Sequence, residues 1–268
     1  HEGTGGARKL EPDYDYSPPP LWPVAAVEVF RRTRNLSFGH LMYTAAQRNL
    51  FWWNANRRLE NGLYWFGDSV GNLKWESGYD RSPRWDGLAG NRSPYACVDL
   101  SAQMGMFYGS LATLADGIGK SSEAALWRGG EASLAEVVRK KLWHENDGLF
   151  FDRHPDSGVW SRPKTITCFW PLVAGQASEQ QAASLVRHLS SGKSYFTRVP
   201  FPSVAIDDPM FSLDCWRGPT WLSQTYWVTR GLRRYGYANL ARDATGRALG
   251  PPHRFRLVGK RDPDPAGQ

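Results

Sequence analysis

Apolar residues recur at helical spacing along most of the chain. Leu21, Val24, Val27, Val29 and Phe30 fall on one broad face and predict a helix from Leu21 to about Arg34. Leu41, Met42, Ala45, Leu50 and Trp53 form a second stripe, predicting a helix from about Phe38 to Leu59 with Ser37 as its cap. Further helices are predicted over Cys97 to Ala115 and over Glu123 to Leu142. The pair Gly129-Gly130 weakens the second of these and divides it. Ile166 to Ala174 reads as a short apolar helix, Glu179 to Leu189 as an amphipathic one, and Trp221 to Tyr235 and Tyr237 to Leu249 as a closing pair. Between Gly148-Leu-Phe-Phe-Asp152 and Val159-Trp160, the turn residues His-Pro-Asp-Ser-Gly158 signal a small β-hairpin.

Residues 1–16 carry Gly, Pro and acids without periodicity and read as coil, and beyond Gly250 the pattern gives way to a Pro/Gly/Arg-rich tail over 250–268. Seven or eight helices paired through loops, with no βαβ alternation, define an all-α class with residues 17–249 as its domain. Residues 61–95 form one long loop rich in Gly, Asn, Asp, Ser, Pro and aromatics. Loops of that length inside a compact domain usually carry function.

Composition narrows the picture. In 268 residues, 41% hydrophobic and 22% charged, no apolar run reaches the roughly 18 residues of a membrane span. No membrane partner is expected, and a cytoplasmic location is the expectation. The chain begins at His1 without a basic-then-apolar leader, so processing or truncation is expected to have removed its natural start. The net charge of +7 comes from scattered Arg, which argues against a nucleic-acid partner. Cys97, Cys168 and Cys215 form neither a CxxC pair nor an even set, so a disulfide framework, a zinc site or any other metal is not expected. Thirteen Trp suit the walls of a sugar cleft, and equally an ordinary core.

The chemistry concentrates in two segments. In Trp75-Glu76-Ser77-Gly78-Tyr79-Asp80-Arg81-Ser82-Pro83-Arg84-Trp85-Asp86, two carboxylates four residues apart stand among Trp75, Tyr79 and Trp85. Glycoside hydrolysis needs that setting: a carboxylic acid that donates to the leaving oxygen, and a second carboxylate that activates water or attacks the anomeric carbon. The bland alternative is a surface loop with an ion pair such as Glu76 to Arg84. In Asp214-Cys215-Trp216-Arg217-Gly218-Pro219-Thr220-Trp221, Pro219 suits a first helical turn and sets Trp216 and Arg217 just ahead of it. There they serve as an aromatic platform and a bidentate donor, or as a buried Trp pair with an Arg that caps a neighbouring helix.

These two segments, with Val199-Pro-Phe-Pro-Ser-Val-Ala-Ile-Asp207-Asp208-Pro209, Pro18-Pro-Pro-Leu-Trp22 and Asp147-Gly-Leu-Phe-Phe-Asp152 in the same order, resemble glycoside hydrolase family 63 over about residues 17–249. The bacterial mannosylglycerate and glucosylglycerate hydrolase branch is the most similar. The resemblance implies an (α/α)6 toroid of the six-hairpin glycosidase type and an inverting, exo-acting α-glycosidase on a small glucosyl or mannosyl compound, with no cofactor. It implies Asp80 as general acid, Trp75, Trp216 and Trp221 on the glycone wall, Arg217 orienting that wall, and Glu76 as a sugar-hydroxyl or loop-ordering carboxylate. Tyr79 and Trp85 join these as substrate-binding candidates. Some family members bind calcium, and Asn146-Asp147-Gly148 is too short a match for a calcium loop.

Family members carry their general base on a Glu beyond the last helix pair, whereas this sequence has no Glu after Glu179. A Trp/Asp-rich segment upstream of Pro18 is also lacking, and twelve helices need more than 268 residues. An incomplete ring cut at both ends is therefore expected. Asp207, Asp208 and Asp214 are the internal carboxylates available as a substitute base. A non-catalytic sugar-binding toroid fragment is the second reading. A glycogen-debranching-type α-1,6-glucosidase is the third, and a trehalase is disfavoured because Cys-Trp-Arg-Gly-Pro replaces the trehalase segment at that point.

Overall fold

The computed structural model describes residues 17–70, 76–88 and 93–250. The expected coil over 1–16 and the tail beyond Gly250 lie outside these residues. Among the described residues eight α-helices run in order: α1 (Trp22–Thr33), α2 (Leu36–Asn56), α3 (Val98–Gly117), α4 (Ser121–Lys141), α5 (Trp170–Ala174), α6 (Glu179–Ser190), α7 (Leu222–Arg234) and α8 (Ala238–Leu249). Successive odd helices touch, α1 on α3, α3 on α5 and α5 on α7. Their even partners flank them, with α2 on α1 and α3, α4 on α3, and α8 on α7. Inner helices that touch in succession, with outer partners packed on α1, α3 and α7, are the arrangement of the (α/α)6 toroid.

Small residues let these helices approach. A Cβ on Gly39 of α2 would stand 2.6 Å from the Phe30 ring of α1, and the same ring lies against Gly117 of α3. Phe30 is thus the peg on which the first three helices meet. Gly130 does for α4 what Gly117 does for α3: its missing side chain admits the Tyr108 ring. The pair Gly129-Gly130 consequently leaves α4 unbroken, contrary to the division expected from sequence. Packing against α3 outweighs the ~1 kcal/mol that each interior Gly costs.

Other boundaries shift for local reasons. Arg34 enters the left-handed region at φ 53° and ends α1, so Asn35, not Ser37, caps α2 by accepting from the Phe38 N–H at 3.0 Å. The stretch Ile166 to Ala174 is a 3-10 turn (Ile166–Phe169) followed by α5, because Pro171 has no N–H to continue a single helix. Pro219 precedes α7 rather than opening it, and its carbonyl instead accepts from Ser203 N–H at 3.2 Å.

The hairpin signal resolves into two short antiparallel ladders. β1 (Trp143–His144) pairs with β2 (Leu149–Phe150), and β3 (Asp152–Arg153) pairs with β4 (Trp160–Ser161), in registers Trp143 to Phe150 and Arg153 to Trp160. Ala96 bridges to Arg153, tying this unit to the segment leading into α3. One core runs under all of it, with Trp53, Tyr64, Phe107, Phe150, Phe169 and Tyr195 sealed from solvent. A smaller cluster of Ala102, Trp170 and Val173 lies on the inner helices against Leu21, Met106 and Trp227. Among the described residues no helix is long and apolar enough to cross a membrane. The three thiols are unbridged.

Candidate active site

The loop after α2 is anchored at its base by a buried ion pair. Glu76 lies 3.0 Å from Arg57 Nε, and it also accepts from the backbone N–H groups of Gly67 and Ser17. Its side chain is fully sealed, which corrects two expectations: the partner is Arg57 rather than Arg84, and no sugar hydroxyl reaches this carboxylate in the folded arrangement. Of the two readings of Glu76, the geometry fits loop ordering. Next to it, Asp68 accepts from Ser77 N–H at 2.8 Å, and Gly78 takes φ 72°, turning the chain outward.

Tyr79 is buried rather than lining an open wall. Its ring meets Trp216 edge-on at 4.6 Å. Its hydroxyl donates to Gln224 Oε1 at 3.0 Å and accepts from Trp170 Nε1 at 2.8 Å. Burial, first among the causes, pushes this phenol above its ordinary range. Tyr79 therefore ties the loop to the first turn of α7 and the start of α5, supporting Trp216 from behind.

Asp80 follows, half-exposed, and among the described residues no protein group donates to its carboxylate. Arg81 comes next with φ 62°, a left-handed conformation that costs a non-Gly residue about 1–2 kcal/mol. Two ion pairs surround it. Arg81 bonds Asp214 at 2.9 Å, and Arg217 forms a fork onto Asp86 at 3.0 and 2.8 Å while donating to the Arg81 carbonyl at 3.1 Å. Arg217 thus holds the loop rather than capping a neighbouring helix, and the Asp86 bond raises its pKa further. The acid candidate stands between two residues, Tyr79 and Arg81, both fastened to the 214–224 segment.

Trp216 and Trp221 stack face to face, centroids 4.2 Å apart and planes 9° from parallel. Trp216 is buried against Tyr79, whereas Trp221 keeps 38% of its surface exposed and offers the open face of the stack. Trp85 is half-buried under the Arg84 guanidinium at 4.0 Å, and its indole N–H is sealed without a partner. Trp75 lies outside the described residues.

Beneath the loop sits a buried charge cluster that sequence reading missed. Arg84 forks onto Asp99 at 2.9 and 2.8 Å and lies 3.4 Å from Asp152, while Asp152 accepts from Val98 N–H in the first turn of α3 at 2.8 Å. Desolvation, resisted by Arg84 and reinforced by Asp99, lifts the Asp152 carboxyl to about 6. Candidate ligand atoms of Cys97, Asp99 and Asp152 lie within 4.8 Å of one another. The Arg84 guanidinium already supplies the cation there, and burial keeps the Cys97 thiol protonated, so the residues do not suit a metal. The sequence signal was slight: an Asp in the first turn of α3, and an Asp closing the Phe-Phe run.

Each of the substitute base candidates is engaged by protein groups. Asp207 pairs with Lys164 at 2.7 Å and accepts from Ser194, Asp208 accepts from Lys164 and Met210 N–H groups at 2.8 Å, and Asp214 is held by Arg81. A broad cavity of about 790 Å³ runs along α6 and the 143–148 turn, and of these three carboxylates only Asp207 lines it. It is polar, shallow and separate from the Asp80 loop.

An inner layer of helices whose loops gather a carboxylate and a tryptophan stack defines the class of helical-toroid glycoside hydrolases. Within that class, a model of the mannosylglycerate hydrolase MGH1-like glycoside hydrolase domain matches residues 4–250, and the chain belongs to this family. The mannosylglycerate hydrolase MGH1 of Selaginella moellendorffii is 35% identical over 115 residues, 42% of this chain and 23% of that protein. An uncharacterized protein of Borreliella burgdorferi is 26% identical over 233 residues, 86% of this chain and 46% of its own. The chain thus spans less than half the length of these relatives. The GH63 mannosylglycerate hydrolase of Thermus thermophilus, solved with Tris and D-glycerate, superposes with a TM-score of 0.73 at 20% identity over 88% of this chain and 69% of that one. The neutral trehalase Nth1 of Saccharomyces cerevisiae shares the fold at 0.72, with 18% identity over 87% of this chain and 55% of its own.

Proposed function

We propose that this chain carries the acid half and the glycone wall of an inverting α-glycosidase acting on a small hexosyl compound of the mannosylglycerate or glucosylglycerate type. Asp80 is the general acid. It passes its proton to the glycosidic oxygen as the bond to the anomeric carbon breaks, while water attacks the opposite face and yields its proton to a second carboxylate. The stack of Trp216 and Trp221 presents an aromatic face to the apolar side of the hexose, and Arg217 keeps that wall against the acid loop. The observation that carries the reading is the state of Asp80: a carboxylate with no donor among the described residues, on a loop pinned on both sides.

Replacing Asp80 by Asn tests it. Hydrolysis of an alkyl or glyceryl glycoside is expected to fall by roughly 10²–10⁴-fold. A glycoside whose leaving group departs without a proton, such as a dinitrophenyl glycoside, should lose far less. Equal losses on both substrates exclude Asp80 as the acid. Turnover of α-mannosylglycerate or α-glucosylglycerate, compared with a branched dextrin and with trehalose, separates this activity from a debranching or trehalase activity.

A second reading, a sugar-binding module without turnover, is favoured by one observation: Asp207, Asp208 and Asp214 are all engaged by protein groups. Calorimetric binding of the same glycosides without release of free sugar identifies that case.

A further inference from the structure

Two ion pairs cross between the acid loop and the tryptophan segment. Arg81 reaches from the acid loop to Asp214, and Arg217 reaches back to Asp86. Each pair therefore joins segments more than a hundred residues apart in sequence. Between them lies strained backbone on both sides: Arg81 at φ 62° and Cys215 at φ 41° are both non-Gly residues in the left-handed region, one directly after Asp80 and the other directly before Trp216. Strain of this kind persists only where its surroundings impose it. The imposing contact is visible at Arg81, whose carbonyl accepts from Arg217 Nη1 at 3.1 Å, while the same guanidinium is fixed by its fork onto Asp86. A planar guanidinium that grips a carboxylate with two bonds has one orientation, so its remaining donor direction is set as well.

We infer that Asp86 and Arg217 are positioning residues for Asp80: the Asp86 carboxylate aims the Arg217 guanidinium at the Arg81 carbonyl, which holds Arg81 left-handed and so sets the direction of the preceding Asp80 side chain. This rests on the reading of Asp80 as the acid. The crossed pair of Arg81 and Asp214 is the return strut, more exposed than the Arg217 guanidinium on both partners. Asp86 is brought to Arg217 by the 3-10 turn Pro83–Trp85, whose carbonyl of Pro83 accepts from Asp86 N–H at 3.1 Å.

The test is a charge swap read by two methods. In Arg217→Asp and in Asp86→Arg, the Arg81 backbone, followed by NMR scalar couplings and carbon shifts, should leave the left-handed region. The kcat for glycoside hydrolysis should fall roughly ten- to a hundredfold with KM changed far less. The double variant re-forms an ion pair but leaves no side-chain N–H at position 217 for the Arg81 carbonyl, so Arg81 and kcat should stay at the level of the single variants, and recovery of both would overturn the proposal. A merely structural pair would lower the melting temperature without separating kcat from KM. Arg81 remaining left-handed with kcat unchanged in both single variants overturns the proposal. If Asp80→Asn leaves glycoside cleavage unchanged, the function proposed above fails, and the Arg81 backbone readout still decides whether the brace exists.

Discussion

At Glu76, a carboxylate and a guanidinium are buried together, and that arrangement is fragile in a particular way. Removing one charge leaves the other in a poorly solvating site, a loss of about 3–5 kcal/mol for buried pairs. Glu76→Gln is therefore expected to lower the unfolding free energy by that order, as urea denaturation would show, whereas Asp80→Asn should leave it nearly unchanged. The two acids four residues apart differ in their surroundings, Glu76 sealed against Arg57 and Asp80 half-exposed. Asp152 behaves differently again. Its carboxyl is raised to about 6, above the ~3.9 of an unfolded chain, so the fold binds that proton more tightly. Its stabilising contribution is complete below about pH 4 and is lost as pH rises through 6. Asp152→Asn fixes the uncharged form, so the wild type should lose about 1–3 kcal/mol relative to this variant between pH 4 and 7.5. A constant difference across that range in urea unfolding would show that Asp152 does not titrate as described. Glu76, Tyr79 and Arg84 drew attention in the sequence because they stand in a polar aromatic loop. Their partners did not, since Arg57, Gln224, Asp99 and Asp152 are joined to them only by the fold.

At the scale of elements, periodicity sufficed wherever a helix carries its own start and stop. α6 is the clear case: Ser178 and Gln181 form a capping box, and the expected Glu179 to Leu189 matches Glu179–Ser190 within one residue. It failed where tertiary contact outweighs local preference, as in the unbroken α4, and where a proline divides an apolar run, as at Pro171. The contact between α5 and α7 matters most to the site, because α7 begins beside Trp221 and α5 begins at Trp170. Gly231 sets that contact: a Cβ there would stand 3.0 Å from the Val173 backbone, which has no flexible side chain to yield. Gly231→Ala should push α7 off α5 at a cost of about 1–3 kcal/mol. The lower melting temperature should come with a changed near-ultraviolet signal from the Trp170 and Trp227 rings, now 5.6 Å apart. An unchanged melting temperature would mean the two helices have slack that this spacing denies.

For the molecule as a whole, some of the arginine is placed by helix electrostatics. Arg31 and Arg32 stand in the last turn of α1, Arg233 and Arg234 in the last turn of α7, where cations complement the negative end of the helix dipole. Arg234 also donates to the Ala174 carbonyl at the end of α5. Two of the inner helices, α1 and α7, thus end in positive charge, as does the outer helix α4 with Arg139, Lys140 and Lys141. All-α class and toroid architecture were legible in the sequence because helix pairs recur and family motifs keep their order. The segments 76–86 and 214–221 were legible as the places where candidate residues gather, but the contacts between them were not, since ion pairs that cross a hundred residues leave no local pattern.

The central claim, that Asp80 delivers a proton to the leaving oxygen in an inverting displacement, is tested most directly by product analysis with an added anion. Azide needs no base to attack, so proton NMR of α-mannosylglycerate incubated with the chain and sodium azide reads the acid step alone. A β-mannosyl azide that forms with the wild type and is lost in Asp80→Asn is the predicted result. An α-configured azide, equal formation by the variant, or no azide from either protein would contradict it.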